Sequence, residues 1–455
     1  MGTIGLSFGS PTSGQGIDVA STVSQMVAQL QNGEKPYKNQ LTALQSQDTV
    51  ISNLGGLLST LSSDISALTD AAGVLSGKQG SSSDTNTVAL LSASTTAAAG
   101  SHTVTVQKLA QTSTEVSSAV TASDSLSGSL TLHIGSGSTQ TIPVDPSNAT
   151  LAGFAAAINQ AGIGLSASVV TDASGSRLSL ISQTGGAAGQ ITIDSSSLND
   201  DTTGGAPLTL STAQAGQDAL LTVDGIQITT GGNTVSNAIP GVTMQLLSTS
   251  PNAVQVEIDN DTASVTTALS TLVKDYNALV SALSAQEGKD TSGNPEPLYG
   301  SPVISQLQQM LANALNAPSG TSLTSMTQIG LSLNGNGTLS LDTDQLTAVL
   351  NDNFAGLQDF FQGVNSFGGG LGQAVNNAGN SSTNGILTRA QQANSTAETS
   401  LNSTISTMDA RIATQQTNLT AQLNAANQTL QEIPLQLNMI DEIYSAITGY
   451  NQGQN

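Results

Sequence analysis

Apolar side chains recur in steps of three and four at both ends of the chain and in steps of two between them. From Ala390 the series runs through Ala397, Leu401, Met408, Ile412, Leu419, Ala426, Leu430, Ile433, Leu437, Ile440, Tyr444 and Ile447, with Leu423 beside it. This spacing marks a helix that buries a narrow heptad seam against another helix. If continuous it reaches on the order of 90 Å, and Pro434, which has no amide hydrogen, is expected to kink or split it near Ile433. The N-terminal part carries a matching series: Tyr37, Leu41, Leu44, Ile51, Leu54, Leu58, Leu61, Ile65, Leu68, Ala72 and Leu75. Asp48 fills one polar slot, and a bend is expected beside Gly55 and Gly56. Two such helices separated by different material predict an antiparallel pair, with the middle of the chain as a long excursion.

In chain order, residues 1–15 read as flexible. Asp18 is a good N-cap for a short helix with Val19, Val23, Met26, Val27 and Leu30 on one face. Gly33 and Pro36 separate it from the first heptad helix, which is expected to end near Gly77, with a linker at 80–83. From 88 to 258 the period becomes two, as on half-buried strands: 103–107, then Leu130, Leu132 and Ile134 turning into Ile142 and Val144. A short helix with Leu151, Phe154, Ala155 and Ile158 follows, then strands at 165–169, 177–181 and 191–193. Asp224-Gly225 is a two-residue hairpin turn between 220–223 and 226–228. Strands at 242–246 and 254–258 close the β-rich region. Helical spacing then returns in Val265–Leu283, in Val303–Leu315 and, after a hairpin at 331–341, in one helix carrying Leu346, Val349, Leu350, Phe354 and Leu357. Gly368–Gly370 and the run 376–385 read as a hinge before the final helix.

Composition narrows the function. Of 455 residues only nine are Lys or Arg, the net charge is −22, and charged residues make up 9%, against about 25% in ordinary soluble domains. Nucleic acid and anionic membrane are poor partners for such a chain. No run approaches the roughly 20 apolar residues that span a bilayer, so no membrane insertion is expected. Cysteine is absent, which excludes disulfides and thiolate metal sites. The first residues lack the basic and apolar regions of a secretory signal, although the Ser/Thr/Asn/Gln/Gly-rich composition suits a surface protein. Such a chain is expected to leave the cell by another route.

No catalytic, cofactor or metal site is expected. His102 and His133 lie on predicted strands with no acid, Cys or second His adjacent in sequence. Asp259/Asp261 and Asp342/Asp344 precede helices, where capping accounts for them. The Gly-rich spots lack a P-loop Lys-Ser/Thr. The reading is an assembly protein, not an enzyme.

Several ordered blocks resemble the bacterial flagellar filament cap family, also called flagellar hook-associated protein 2. They begin with Gly16-Ile17-Asp18-Val19, Val23, Val27, Glu34 and Pro36, then Ala99-Gly100-Ser101-His102-Thr103-Val104 with Leu109-Ala110-Gln111. Ile158-Asn159, Ser174-Gly175-Ser176-Arg177-Leu178, Val223-Asp224-Gly225, Asn233-Thr234-Val235 and Ile239-Pro240-Gly241-Val242-Thr243 are similar to its central blocks. Tyr276-Asn277, Pro297-Leu298-Tyr299-Gly300 and Gly337-Thr338-Leu339-Ser340-Leu341-Asp342 are similar to later ones. The sparse charge of the terminal helices, Pro434 and residues 435–450 depart from the family pattern.

The resemblance implies an α+β multidomain chain whose terminal heptad helices form a helical-bundle leg, with two inserted β-rich head domains. The divisions expected are 1–36 (N-terminus and short helix), 37–80 (leg helix), 81–112 (first part of one head), 113–207 (distal α+β head), 208–259 (second part of the first head), 260–375 (helical bundle with hairpin) and 376–455 (C-terminal leg helix). It implies a secreted, extracellular protein at the distal flagellar tip, exported unfolded through the flagellar type III apparatus. Its partners would be further copies of itself in a closed ring of about five, flagellin, the hook–filament junction protein, and an export chaperone at the C-terminal region. Filament or leg contacts are expected from Ile17, Asp18, Val19, Val23, Val27, Leu30, Leu419, Leu423, Leu430, Ile433, Leu437, Ile440 and Ile447. The bundle seam is expected from Leu41, Leu44, Ile51, Leu54, Leu58, Leu61, Ile65, Leu68, Leu401, Met408 and Ile412. The competing readings are a hook–filament junction protein and a surface adhesin that binds host glycans or mucin.

Overall fold

Helical and pleated spacing in the sequence sort into two compact units in the computed structural model, which describes residues 17–202, 204–317, 322–379 and 384–449. One unit comprises Met1–Thr69 with Ala268–Asn455, and the other is Asp70–Thr267. The predicted flexible segment 1–15 lies outside the described residues.

The helical unit holds α1 (Val19–Gln31) and α2 (Lys35–Thr69), and the β-rich unit holds α3 (Leu151–Gln160). After α4 (Thr262–Ala285), which crosses the division, come α5 (Pro302–Leu315), α6 (Thr343–Asp352), α7 (Phe354–Gln362), α8 (Phe367–Ala378) and α9 (Ile386–Thr448). At about 1.5 Å per residue α9 is roughly 95 Å long.

Four boundary expectations are corrected, each for a local reason. First, α2 stops at Thr69 and not near Gly77, because the Asp70 carboxylate accepts from the Ala72 amide (2.9 Å) and turns the chain. Leu75 is buried in a short 3-10 turn, outside the heptad helix. Second, the supposed linker 80–83 mostly belongs to strand Lys78–Ser82, which pairs antiparallel with Val254–Asn260. Third, the single helix expected over 346–357 is α6 and α7. Asn353 ends the first and caps the second, its side chain accepting from Gly356 (3.1 Å).

The fourth correction concerns the glycines at 368–370, which start α8 instead of forming a hinge, behind a Ser366 cap that accepts from the Gly369 amide (3.1 Å). A Cβ on Gly368 would lie 2.6 Å from the Phe361 carbonyl oxygen and from Thr69, so this glycine permits close approach. Of the hinge run 376–385, residues 380–383 lie outside the described residues. The helix α2 runs unbroken through Gly55 and Gly56, and α9 continues past Pro434 without splitting.

The β-rich unit contains two separate apolar cores. In one, the sheet order is Lys78–Ser82, Val254–Asn260, Gly100–Lys108, Ala219–Val223, Ile226–Thr230. Its inward residues Val104, Val106, Leu221, Val223, Val256 and Ile258 meet Val242, Met244 and Leu246 from a three-stranded sheet. The turn between Ala219–Val223 and Ile226–Thr230 has φ 48° at Asp224 and 84° at Gly225, the paired positive angles that a tight hairpin requires. The second core packs Phe154 and Ile158 of α3 against Leu130, Leu132, Leu165, Leu178 and Leu180. Strand Thr112–Ser117, which the sequence reading missed, pairs with both Gly175–Gly185 and Leu210–Gln214. Its hydroxyl-rich sequence alternates weakly, so burial of Ser113, Glu115 and Ser117 was not legible.

Three asparagines close the fold in the same way. The side chains of Asn159, Asn233 and Asn277 each donate to and accept from one backbone residue: Ala167 (2.8 and 2.8 Å), Ala110 (3.0 and 2.7 Å) and Leu339 (2.8 and 2.7 Å) respectively. Each amide thus takes the place of a neighbouring strand. Asn233→Leu should lower the stability of the β-rich unit by about 1–3 kcal/mol, since both Ala110 groups lose their partner. Urea unfolding followed on that unit measures this, and an unchanged midpoint would refute it.

Candidate functional site

The candidate site is the pairing of the terminal helices. Asp18 caps α1 by accepting from the Ser21 amide (3.0 Å), and α1 itself contains no charged residue. The helix lies antiparallel along α9. At one end the Ile17 amide donates to Asn427 Oδ1 (2.7 Å), and at the other Gly33 faces the Met408 methyl group. Ile17 and Val23 are buried in this contact, while Val19, Val27 and Leu30 are half-buried and Asp18 is exposed. Across from them, Leu419 and Leu423 are half-buried.

Two clefts flank the contact. One, of about 510 Å³, is lined by Met26, Leu30, Leu419 and glutamines 415 and 422. The other, of about 810 Å³, lies between Val19, Val23 and Val27 and the polar residues Gln416, Thr420 and Asn424. The facing stretch of α9, residues 412–431, contains no charged residue either. Its threonines 414, 417, 420 and 429 donate to carbonyls four residues back, which satisfies the hydroxyls within the helix.

Beyond Asn427 the apolar series of α9 continues toward solvent. Leu430 and Ile433 are half-buried, whereas Leu437 is 45%, Ile440 60% and Ile447 79% exposed. Leu435, Met439, Ile443 and Tyr444 stand exposed with them. The first three form a second stripe at four-residue spacing, a signal present in the sequence that a strict heptad reading passes over.

The expected bundle seam divides into three contacts. Asn394 of α9 donates to Asp48 (2.8 Å) and Gln391 to Ser52 (3.4 Å), which sets an antiparallel α2–α9 register. Leu41, Leu44, Ile51 and Leu54 of α2 lie in the stretch that runs beside α9, with Leu401 on the α9 side. Leu58, Leu61, Ile65 and Leu68 lie farther along α2, where α8 packs: Ser62 donates to Asn376 (3.1 Å), and Gly372 faces Ile65. Met408 lies at the turn between α1 and α2, facing Gly33, and Ile412 is buried one turn further along α9. Each fully buried Leu or Ile contributes about 1.5–3 kcal/mol.

Several polar groups make contacts that the sequence reading did not specify. Glu34, at the α1–α2 turn, is fully buried; its Oε2 meets Lys38 Nζ at 2.8 Å, while Oε1 has no donor. The hydrogen bond to Glu34 holds the Lys38 ammonium above its ordinary range. His102, expected to lack an acidic neighbour in sequence, has one in space: its Nδ1 lies 2.7 Å from Asp224 Oδ2, and Asp224 Oδ1 accepts from the Thr103 amide (2.8 Å). These bonds hold the Asp224 carboxyl below the usual carboxylate range, the His102 contact first. Two of the sequence blocks are therefore contact partners. Asp261 accepts from Ser264, and Asp342 from Asp344 and Gln345, as helix caps. The geometry offers helical surface for assembly, and these carboxylates serve structure.

Comparison with known proteins fits that surface. The models of the flagellar hook-associated protein 2 N-terminus and C-terminus match residues 15–113 and 216–434, together more than half of the chain. The B-type flagellar hook-associated protein 2 of Pseudomonas aeruginosa is 29% identical over 398 residues, covering 80% of this chain and 83% of that protein. Flagellar hook-associated protein 2 of Escherichia coli K12 is 27% identical, covering 76% and 78%. Among solved structures, the D1-D2-D3 domains of the Escherichia coli flagellar cap protein FliD match with a TM-score of 0.57 and 26% identity, over 76% of this chain and 99% of that one. These relatives favour the cap over a junction protein, and none of them supports the adhesin reading. No helix among the described residues is long and apolar enough to cross a membrane. The chain belongs to the flagellar hook-associated protein 2 family, the structural proteins that cap the bacterial flagellar filament at its distal, extracellular tip.

Proposed function

We propose that this chain caps the filament as a closed ring of copies, about five by the family resemblance, and that its terminal helices make the contacts with flagellin. The observation that carries this reading is the apolar end of α9, where Leu437, Ile440 and Ile447 stand in solvent after α1 has ended its contact near Asn427. A stripe of this kind on an isolated chain is a surface that other chains cover. The helical unit acts as the leg and the β-rich unit as the head, with residues 113–207 as a distal head and 81–112 with 208–259 as the nearer one. The leg residues Ile17, Val19, Val23, Val27 and Leu30 shape the α1 side, and Leu419, Leu423, Leu430 and Ile433 lead into the exposed end. The hook–filament junction protein supports the first ring, and an export chaperone covers the C-terminal region before secretion. By holding subunits at the tip, the ring promotes folding and insertion of newly exported flagellin and prevents its loss.

A strain deleted for the protein tests this reading. Bald cells that shed unpolymerised flagellin, with hook and junction intact, are the expected result. Normal filaments on those cells would overturn it.

A further inference from the structure

Two edge strands of the β-rich unit carry devices against further pairing. At Leu165–Asp172 the side chain of Asn159 occupies both backbone groups of Ala167 (2.8 and 2.8 Å), and Gln183 Nε2 donates to the Leu165 carbonyl (3.3 Å). At Leu210–Gln214, the opposite edge of the same sheet, the register with Thr112–Ser117 shifts between Thr212 and Gln214. Plugged or irregular edges resist the addition of another strand. The edge strand Ile226–Thr230 of the five-stranded sheet has neither device: it pairs in unbroken register with Ala219–Val223 and, among the described residues, with no strand on its other side. We propose that Ile226–Thr230 is a docking edge, at which an extended, non-acidic polypeptide segment adds as a further strand held by backbone hydrogen bonds.

Backbone geometry fixes what this edge offers. Asp224 and Gly225 make a two-residue turn, so Val223 and Ile226 hold the hydrogen-bonded pair beside it. Alternation then turns the N–H and C=O groups of Gln227 and Thr229 away from Ala219–Val223. Both residues are exposed, and their outward groups meet no partner among the described residues. On the core-facing side, Ile226 lies across from Val223, and Ile228 across from Leu221. Val223 and Leu221 are buried, yet Ile226 is 68% exposed and Ile228 half-buried, so an added strand covers apolar surface as well as backbone. Four of the five residues are β-branched and none is charged, Gly or Pro, which suits a pleated neighbour and omits the charges that keep strands apart.

The occupant is an extended segment of another chain and not a second folded copy. Pairing this strand with its counterpart in a second copy engages five residues a side, whereas stable interfaces take about 20–30 residues a side. The plugged and shifted edges of such a copy are poor partners for the reason that they stay unpaired. Charge selects further. Asp224, at the turn, has a side chain 46% exposed, and the chain carries −22 overall, so an acidic segment is repelled while a neutral or basic one is not. Added strands of this kind draw affinity from main-chain bonds and specificity from alternate side chains. The docking is therefore weak, reversible and tolerant of sequence.

The test is residue-resolved hydrogen exchange on the full chain. The probe is a short synthetic peptide of alternating threonine and valine with a lysine at each end. At saturating peptide the Gln227 and Thr229 amides should exchange more slowly, by on the order of tenfold. Thr229→Pro removes an N–H that faces solvent, a change that edge strands tolerate; the variant should melt as wild type does and lose the peptide's protection of Gln227. The same peptide with N-methylated backbone amides, which lacks donors, should give no protection in wild type, and this arm needs no variant to fold. Unslowed exchange at Gln227 and Thr229, equal protection by the N-methylated peptide, or protection of Gln227 that persists in a folded Thr229→Pro would overturn the proposal. So would protection that grows with protein concentration in the absence of peptide, since it would put a second copy on the edge. The deletion strain judges the cap and does not bear on this edge.

Discussion

Replacing Ile440 and Ile447 together by aspartate should leave the purified chain folded and stop it from retaining flagellin on the filament. In the isolated chain these side chains are 60% and 79% exposed, so the substitution removes almost no packing from the fold. On the proposed contact they would meet apolar partners in the assembled cap, where an enclosed unpaired charge costs about 3–5 kcal/mol, a factor on the order of 10² to 10⁴ in affinity for each site. Circular dichroism melting of the variant should match wild type, while its strain should shed monomeric flagellin and swim poorly. Full swimming with wild-type melting would show that the end of α9 is not the contact. Leu430→Asp should fail as well, but Leu430 is half-buried in the chain itself, so its defect would mix folding with assembly.

The largest loss of stability is expected from Phe360→Ala. Phe360 is fully buried on α7, stacked on Phe367 of α8 at 4.9 Å and edge-on to Phe361 at 5.3 Å. Phe361 and Phe367 also meet edge-on at 6.0 Å, so three of the six phenylalanines of the chain form one cluster. Emptying its centre removes about 3–5 kcal/mol, and the helical melting transition should fall by on the order of 10 °C. A fall of one or two degrees would mean that α7 and α8 collapse into the space. The cluster also explains Gly368: a side chain there would push α8 off the carbonyl of Phe361.

The sequence made the elements legible wherever periodicity and caps agreed. Both heptad helices, the short α1 behind Asp18, the Asp224-Gly225 hairpin and α3 were all written in local spacing. Errors arose where a residue had two uses that only the fold distinguishes. Glycines 368–370 read as a hinge because backbone freedom and absence of a side chain look alike in sequence; here it is the missing side chain that serves close packing at Gly368. Asn353 sits inside an apolar helical pattern, yet its side chain ends one helix and starts another. The seam residues shared one period but serve three different partners, since spacing specifies a face and not what covers it.

The site was legible to the same extent. The α1 face and the α9 series were read from spacing, whereas the contact of His102 with Asp224 joins residues far apart in the chain. Asparagines 159, 233 and 277, each within a block used for the family resemblance, owe their place to one piece of chemistry: an amide side chain that completes a backbone ladder.

The contact between α1 and residues 412–431 of α9 contains no ionisable side chain apart from the Asp18 cap. Attraction between charges fades as dissolved ions accumulate around them, whereas apolar burial and amide hydrogen bonds do not depend on screening in that way. This terminal pair is therefore built to keep its geometry from fresh water to brine, with its register entrusted to shape and to the Ile17–Asn427 bond.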